Sequence, residues 1–330
     1  MNNTSTILSV DNVQKQYPVK GGFLQREIAT VKAVDGVSFT LKYGETLGLV
    51  GESGCGKSTL GRAIMFLERP SAGTILFDGV NLSTLSESDL RKKRKDIQII
   101  FQDPFSSLNP KMTVFQLLAE PILNFHPKTK KAELEKEVHQ LMSDVGLRPE
   151  YATRYPHEFS GGQRQRISIG RALASRPKLI VCDEPVSALD VSIQAQILNL
   201  LMDLQEKYNF SYIFISHDLH VVRHTSKKIA VMYLGRFVEL ANSEEIFTNP
   251  LHPYTKSLLS AIPTLDLDHK KKKVVLQGDV PSPLNPPNGC HFHPRCPVAS
   301  DHCSKIVPEL KQYKDTNGNE HWAACLNISI

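Results

Sequence analysis

Gly51-Glu52-Ser53-Gly54-Cys55-Gly56-Lys57-Ser58-Thr59 fits the pattern G-x-x-x-x-G-K-[S/T] and follows the apolar run Thr46-Leu47-Gly48-Leu49-Val50, which reads as a buried strand. A strand that delivers such a loop into a helix makes a cradle for phosphates. Glycines at 51, 54 and 56 let the backbone turn its N–H groups toward anionic oxygens, and the helix opening near Lys57 points its positive dipole end at the same place. Lys57 adds a point charge for β- and γ-phosphates, and the Ser58 hydroxyl is placed to ligate Mg²⁺. All nine residues are therefore candidate nucleotide contacts. A plain glycine turn is the duller alternative, and the strand and helix context argues against it.

Further along, apolar strands end in residues of a catalytic type. Leu179-Ile180-Val181-Cys182 delivers Asp183 and Glu184 at its C-terminal end, where open α/β sheets bind ligands. Asp183 is placed to hold Mg²⁺ through water, and Glu184 to orient or deprotonate an attacking water. Tyr212-Ile213-Phe214-Ile215 ends in Ser216-His217, and Ile97-Gln98-Ile99-Ile100-Phe101 ends in Gln102. Packing alone gives no reason for a polar residue of this kind at the end of each strand. Cys55 and Cys182 read as inert small fillers.

Phe159-Ser160-Gly161-Gly162-Gln163-Arg164-Gln165-Arg166 makes the reading specific, because Ser160-Gly161-Gly162-Gln163 resembles the signature of ATP-binding-cassette (ABC) ATPases. The resemblance implies Tyr17 as the adenine-stacking aromatic, residues 51–59 as Walker A and Gln102 as the Q-loop. It implies 179–184 as Walker B with Glu184 the catalytic glutamate, Ser187-Ala188-Leu189-Asp190 as the D-loop and His217 as the switch histidine. Mg²⁺ would be held by Ser58, Gln102 and Asp183. In this family two cassettes close head to tail, so the signature reaches the partner's ATP and a lone chain should hydrolyse poorly. Arg164 and Arg166 are read as a solvated helix face without a catalytic part.

The implied fold is α/β, a P-loop NTPase of the ABC ATPase type: a mixed sheet core, an antiparallel β subdomain and a helical signature subdomain. Glu133 to Val145 carries Leu134, Val138, Leu141, Met142 and Val145 at helical spacing, and Ile193, Ile197, Leu200, Leu201 and Leu204 repeat the pattern. The first helix belongs to a helical subdomain expected at about 103–176. Gln102 to Pro110 is rich in Pro and Ser and reads as a loop, and the resemblance makes it the surface that meets a membrane subunit.

At 330 residues and 41% hydrophobic content the chain suits one large domain with an appendage, expected as 1–262 and 263–330. Its net charge of +5 is a mild basic excess. No apolar run approaches the ~18 residues of a membrane span, and the N-terminus lacks signal-peptide regions, so a cytosolic chain is expected. The tract His269-Lys270-Lys271-Lys272-Lys273 reads as a solvated linker.

Pro281-Ser282-Pro283-Leu284-Asn285-Pro286-Pro287-Asn288-Gly289 precludes regular helix or central strand, so the extension is expected to be small and irregular. Cys290, Cys296, Cys303 and Cys325 follow at C-x5-C-x6-C-x21-C, which lacks the short C-x2-C knuckles usual for zinc. Four thiolates suit zinc or an iron–sulfur cluster, and the wide spacing favours the cluster, most simply as a structural pin separate from the nucleotide loop. His291, His293, His302 and His321 keep zinc open.

Asn249-Pro250-Leu251-His252-Pro253-Tyr254-Thr255, Pro281-Ser282-Pro283 and Gly289-Cys290 with Arg295-Cys296-Pro297 resemble the C-terminal extension of ATP-binding subunits of oligopeptide/dipeptide permeases, closest to their F-type subunits. That resemblance covers almost the whole chain. It implies a [4Fe–4S] cluster on the four cysteines, and ATP-driven uptake of oligopeptides or dipeptides. The implied partners are a second, D-type ATPase subunit, two membrane permease subunits and an extracytoplasmic peptide-binding protein. The implied place is the cytoplasmic face of a bacterial cytoplasmic membrane, held peripherally. Importers of nickel, glutathione or other solutes are the alternative. A soluble ABC ATPase acting on nucleic acid or ribosomes fits less well, because such proteins usually carry two cassettes and this chain has one Walker A, one signature and no basic-aromatic recognition module.

Overall fold

The computed structural model describes residues 5–21, 26–261, 278–314 and 320–328. The lysine tract 270–273 and the domain boundary expected at 262/263 lie outside these residues. The chain divides into two compact units, one built mainly from Phe77–Ser216 and the other from Ser9–Thr40, Leu47–Leu76 and the segment from His217 onward.

In the first unit the strands Ile97–Ile100, Leu179–Asp183 and Ser211–Ile215 run parallel, with Ile97 opposite Leu179 and Asp183 opposite Ile215. Every residue of Leu179–Asp183 and Ser211–Ile215 is buried, which explains why these runs are apolar throughout rather than alternating. Helices Val114–Phe125, Lys131–Asp144 and Gly161–Leu173 pack together through Leu118, Val138, Met142 and Ile167, all fully buried. Thr113 with Gln116, and Ser160 with Gln163, form reciprocal capping boxes that fix where two of these helices begin. Within the stretch read as a loop, Asp103 caps a short helix, Pro104–Ser107, by accepting from the Phe105 N–H at 2.8 Å.

The Arg164 and Arg166 side chains are not a solvated face. Arg164 donates through Nε to the Pro156 carbonyl at 2.6 Å, and its guanidinium lies 3.8 Å from the Phe105 ring centroid. Arg166 donates to the Val145 carbonyl at 2.8 Å. The loop before the helix leaves carbonyls inside, and long basic side chains satisfy them.

In the second unit the sheet is mixed. Leu47 to Val50 pair in parallel with the strand Lys228–Tyr233, which turns back antiparallel as Arg236–Asn242. The C-terminal extension is not wholly irregular: Glu320–Ala323 pairs antiparallel with Arg236–Asn242, and Lys311–Lys314 pairs with Glu320–Ala323. The proline-rich stretch forms no strand or helix, as its missing N–H groups require. Fully buried Glu239 joins these parts, accepting from the Leu251 and His252 N–H groups at 2.7 and 2.9 Å and from His321 Nε2 at 2.6 Å. A second sheet carries Arg26–Lys42, Thr6–Gly21 and Ala72–Phe77 side by side in that order. Among the described residues no helix is long and apolar enough to cross a membrane.

Candidate active site

The fully buried strand Thr46–Val50 ends in the phosphate loop, and the helix Lys57–Ile64 leaves it. Gly56, at φ 107, is the residue before that helix, and a Cβ there would stand 2.1 Å from the Ala33 carbonyl oxygen. Only glycine fits. No side chain caps this helix start, where the positive end of the helix dipole favours an anion.

Lys57 is 5% exposed, and its ammonium donates to the carbonyls of Gly51 at 2.8 Å and Glu52 at 3.0 Å. The loop thus fixes a buried cation at the head of a helix. Ser58 and Thr59 open the helix, and the Thr59 hydroxyl lies beside that of Tyr17. Tyr17 donates to Glu68, and its hydroxyl pKa is pushed up to about 12 by burial and by that carboxylate. The Lys15 ammonium covers the Tyr17 ring at 5.0 Å from its centroid. Burial raises the pKa of both Cys55 and Cys182, in keeping with inert thiols.

In the first unit Gln102 Nε2 donates to Glu184 Oε2 at 3.1 Å, joining two residues that come from different strand ends. Glu184 holds φ 50, a left-handed conformation uncommon for a residue with a side chain, and its N–H donates to the Ile215 carbonyl at 3.0 Å. Asp183 before it is buried at the end of its strand. Ser187 Oγ donates to the Glu184 carbonyl at 3.1 Å, and Gln194 Nε2 donates to the carbonyls of Val186 and Leu189 at 3.0 and 2.9 Å. Gln194 therefore fixes the turn that carries Ala188, Leu189 and Asp190. Ser160 is exposed at the start of Gly161–Leu173, and a Cβ on Gly162 would meet Ile193 Cγ2 at 2.6 Å. His217 is exposed in the second unit, while neighbouring Asp218 accepts from the His220 N–H at 2.8 Å and caps the next helix.

The tail holds a contact that motif reading missed. Arg295, between Cys290 and Cys296, forms a two-pronged ion pair with Glu52 of the phosphate loop, at 2.8 and 3.2 Å. The Glu52 N–H donates to the Tyr254 hydroxyl at 2.9 Å. Arg295 and Tyr254 were legible only as part of the tail's resemblance. A partly buried acid in a glycine loop needs a partner, and that need was the available signal.

Burial, and secondarily the neighbouring thiols, raise the pKa of Cys290 to about 11, with Cys296 and Cys325 raised for the same reasons. Among the described residues, however, no group of three or more His, Cys, Asp or Glu side chains is arranged to hold a metal ion. The expected zinc or iron–sulfur site thus finds no support in the side-chain arrangement. Cys290 donates its N–H to the Cys303 carbonyl at 2.8 Å, so backbone bonds already join the segments the metal was expected to pin.

Residues 34–187 match the family described as ABC transporter, and 238–303 match the oligopeptide/dipeptide transporter C-terminal region. The chain is 54% identical to the oligopeptide transport ATP-binding protein AppF of Bacillus subtilis, across 98% of each. It is 49% identical to the oligopeptide transport ATP-binding protein OppF of Escherichia coli across 98% of this chain and 96% of that one. The di/tripeptide transport ATP-binding protein DppF of Pseudomonas aeruginosa is also 49% identical, across 93% and 94%. A dimeric ATP-binding cassette solved in a post-hydrolysis state with ADP and Pi superposes with a TM-score of 0.64 at 29% identity, covering 72% of this chain and 98% of that one.

Proposed function

The chain belongs to the ATP-binding proteins of the ABC transporter family, with the C-terminal region of the oligopeptide/dipeptide transporters, and we propose that its ATP hydrolysis energises uptake of oligopeptides or dipeptides. The observation that carries the nucleotide chemistry is the buried Lys57 ammonium, held on loop carbonyls at an uncapped helix start. The peptide cargo is carried over from the relatives and from the tail they share.

In this reading the backbone N–H groups of Gly54 and of Gly56 to Thr59, with the Lys57 ammonium, grip the β- and γ-phosphates, and Tyr17 meets the adenine. Mg²⁺, when bound, would sit on Ser58, Gln102 and Asp183 and offset phosphate charge. Glu184 takes a proton from water as the water oxygen bonds to the γ-phosphorus, the bond from that phosphorus to the bridging oxygen breaks, and ADP leaves. Gln102 orients Glu184 through their hydrogen bond, and His217 approaches the γ-phosphate. Ser160 to Gln163 and Ser187 to Asp190 face the ATP of a second cassette. Val191, 82% exposed beside the second of these segments, supports such a contact.

A second ATPase subunit, two membrane permeases and an extracytoplasmic binding protein complete the proposed importer. The chain sits peripherally on the cytoplasmic face of the membrane. Phe105, 64% exposed and stacked on Arg164, is the proposed contact with a permease. The iron–sulfur reading rests on donor type alone: four free cysteines supply the soft sulfur ligands such a cluster takes. Cys290, Cys296, Cys303 and Cys325 would hold it.

Reconstitution in vesicles with the partner subunits tests the function. Peptide uptake should require ATP and be lost with Lys57→Ala. Uptake that persists in that variant would refute the site.

A further inference from the structure

The phosphate loop is held from the C-terminal tail. All the polar groups of Glu52 are engaged: its N–H by Tyr254 at 2.9 Å, its carbonyl by Lys57 at 3.0 Å and its carboxylate by Arg295 at 2.8 and 3.2 Å. The Arg295 side chain is 8% exposed and that of Glu52 27%, so the guanidinium is shielded from bulk water and the carboxylate partly so. A planar guanidinium gripping both carboxylate oxygens fixes orientation as well as charge.

The tail segment is itself anchored. Phe292, 1% exposed, packs its ring 5.3 Å from those of both Tyr233 and Tyr254, and His291 Nδ1 lies 3.2 Å from the Leu234 carbonyl. Arg295 therefore reaches the loop from a seat built into the core.

A carboxylate in a loop that must receive a polyanion opposes binding unless something cancels it. We propose that Arg295 is a positioning residue for nucleotide binding: through Glu52 it sets the course of the phosphate loop next to Lys57 and neutralises an acid that would repel the incoming phosphates. The inference rests on the ATP reading above. It also makes the thiol-bearing turn, which was expected to be separate from the nucleotide site, a neighbour that bears directly on it.

The test is ATP affinity of the full chain, measured by displacement of a fluorescent ATP analogue with Mg²⁺ present. Arg295→Gln should weaken binding about tenfold, the size of one charge-assisted hydrogen bond lost, and Arg295→Lys, which keeps charge without the fork, by less. Adding Glu52→Gln to Arg295→Gln should recover much of that loss, because the repelling charge goes with it. A tail that matters only for folding would show no such recovery, and a loss that is the same with either residue at 52 overturns the inference. So does affinity within about twofold of wild type in Arg295→Gln, the ordinary range for a surface ion pair. Failure of the ATP reading looks different: wild-type protein would then bind no ATP, or bind it equally well with Lys57→Ala.

Discussion

Alanine in place of Gly56 and in place of Gly54 should have very different effects, although both lie in the same loop. Gly54 adopts φ 77 and a Cβ there meets nothing within 4 Å, so Gly54→Ala incurs only the left-handed conformation, about 1–2 kcal/mol. Gly56 adopts φ 107, and its Cβ would lie 2.1 Å from the Ala33 oxygen and 2.9 Å from Met232 Cε. Carbon and carbonyl oxygen approach to about 3.3 Å, so loop or strand must move by roughly an ångström. The conformational and steric terms together should cost about 3 kcal/mol or more. An ångström of misplacement also costs on the order of a hundredfold in turnover. Urea unfolding followed by the emission of Trp322, the chain's single tryptophan, measures the first effect, and ATPase of the reconstituted complex measures the second. Stabilities of Gly54→Ala and Gly56→Ala within 1 kcal/mol of each other would refute the argument that backbone crowding, rather than φ alone, requires Gly56.

Glu184→Gln should bind ATP normally yet stall, since the phosphate cradle survives and only the proton acceptor is lost; wild-type turnover by the assembled variant would remove Glu184 from that role. The lone chain should be a weak ATPase that speeds up in the complex, and equal rates would argue for a self-sufficient enzyme. Burial holds the His252 imidazole down at about 4, so the unfolded chain takes up a proton between about 6.5 and 4 that the folded chain refuses. Stability is therefore full above about pH 6.5 and declines toward pH 4 by up to about 3 kcal/mol, which urea midpoints at pH 7 and 4.5 would reveal. His252→Asn, which keeps an acceptor for the Tyr254 N–H, should flatten that loss, and an unchanged slope would point to another group. Protein purified without oxygen should carry about four irons and four sulfides, and elemental analysis showing a single zinc or no metal would remove the cluster.

The buried parallel strands were readable because residues such as Ile180, Val181 and Ile213 must be apolar on both faces, which leaves unbroken runs. The phosphate loop was readable because its glycines and lysine are fixed by backbone chemistry at short range. Arg295 was not readable: its partner Glu52 lies 243 residues away, and although an acid in a glycine loop calls for a partner, nothing local says which residue supplies it. Lys311–Lys314 and Glu320–Ala323 escaped because four-residue strands carry too few alternations to show a period. Arg164 and Arg166 looked solvated because charge suggests water, whereas their carbonyl partners depend on how the loops before the helix fold back.

The two strands contributed by the tail also decide what the second unit presents at its rim. Without them Arg236–Asn242, with buried Phe237, Val238 and Ala241, would offer open N–H and C=O groups to any passing chain, a template for intermolecular sheet growth. With them the outermost strand among the described residues is Lys311–Lys314, four residues long, with exposed Lys311 and Gln312. Short, basic edges of this kind discourage a further strand from adding. The two tail strands therefore shield that edge, and a chain shortened just before Lys311 is expected to aggregate even though Arg295 and the nucleotide loop remain.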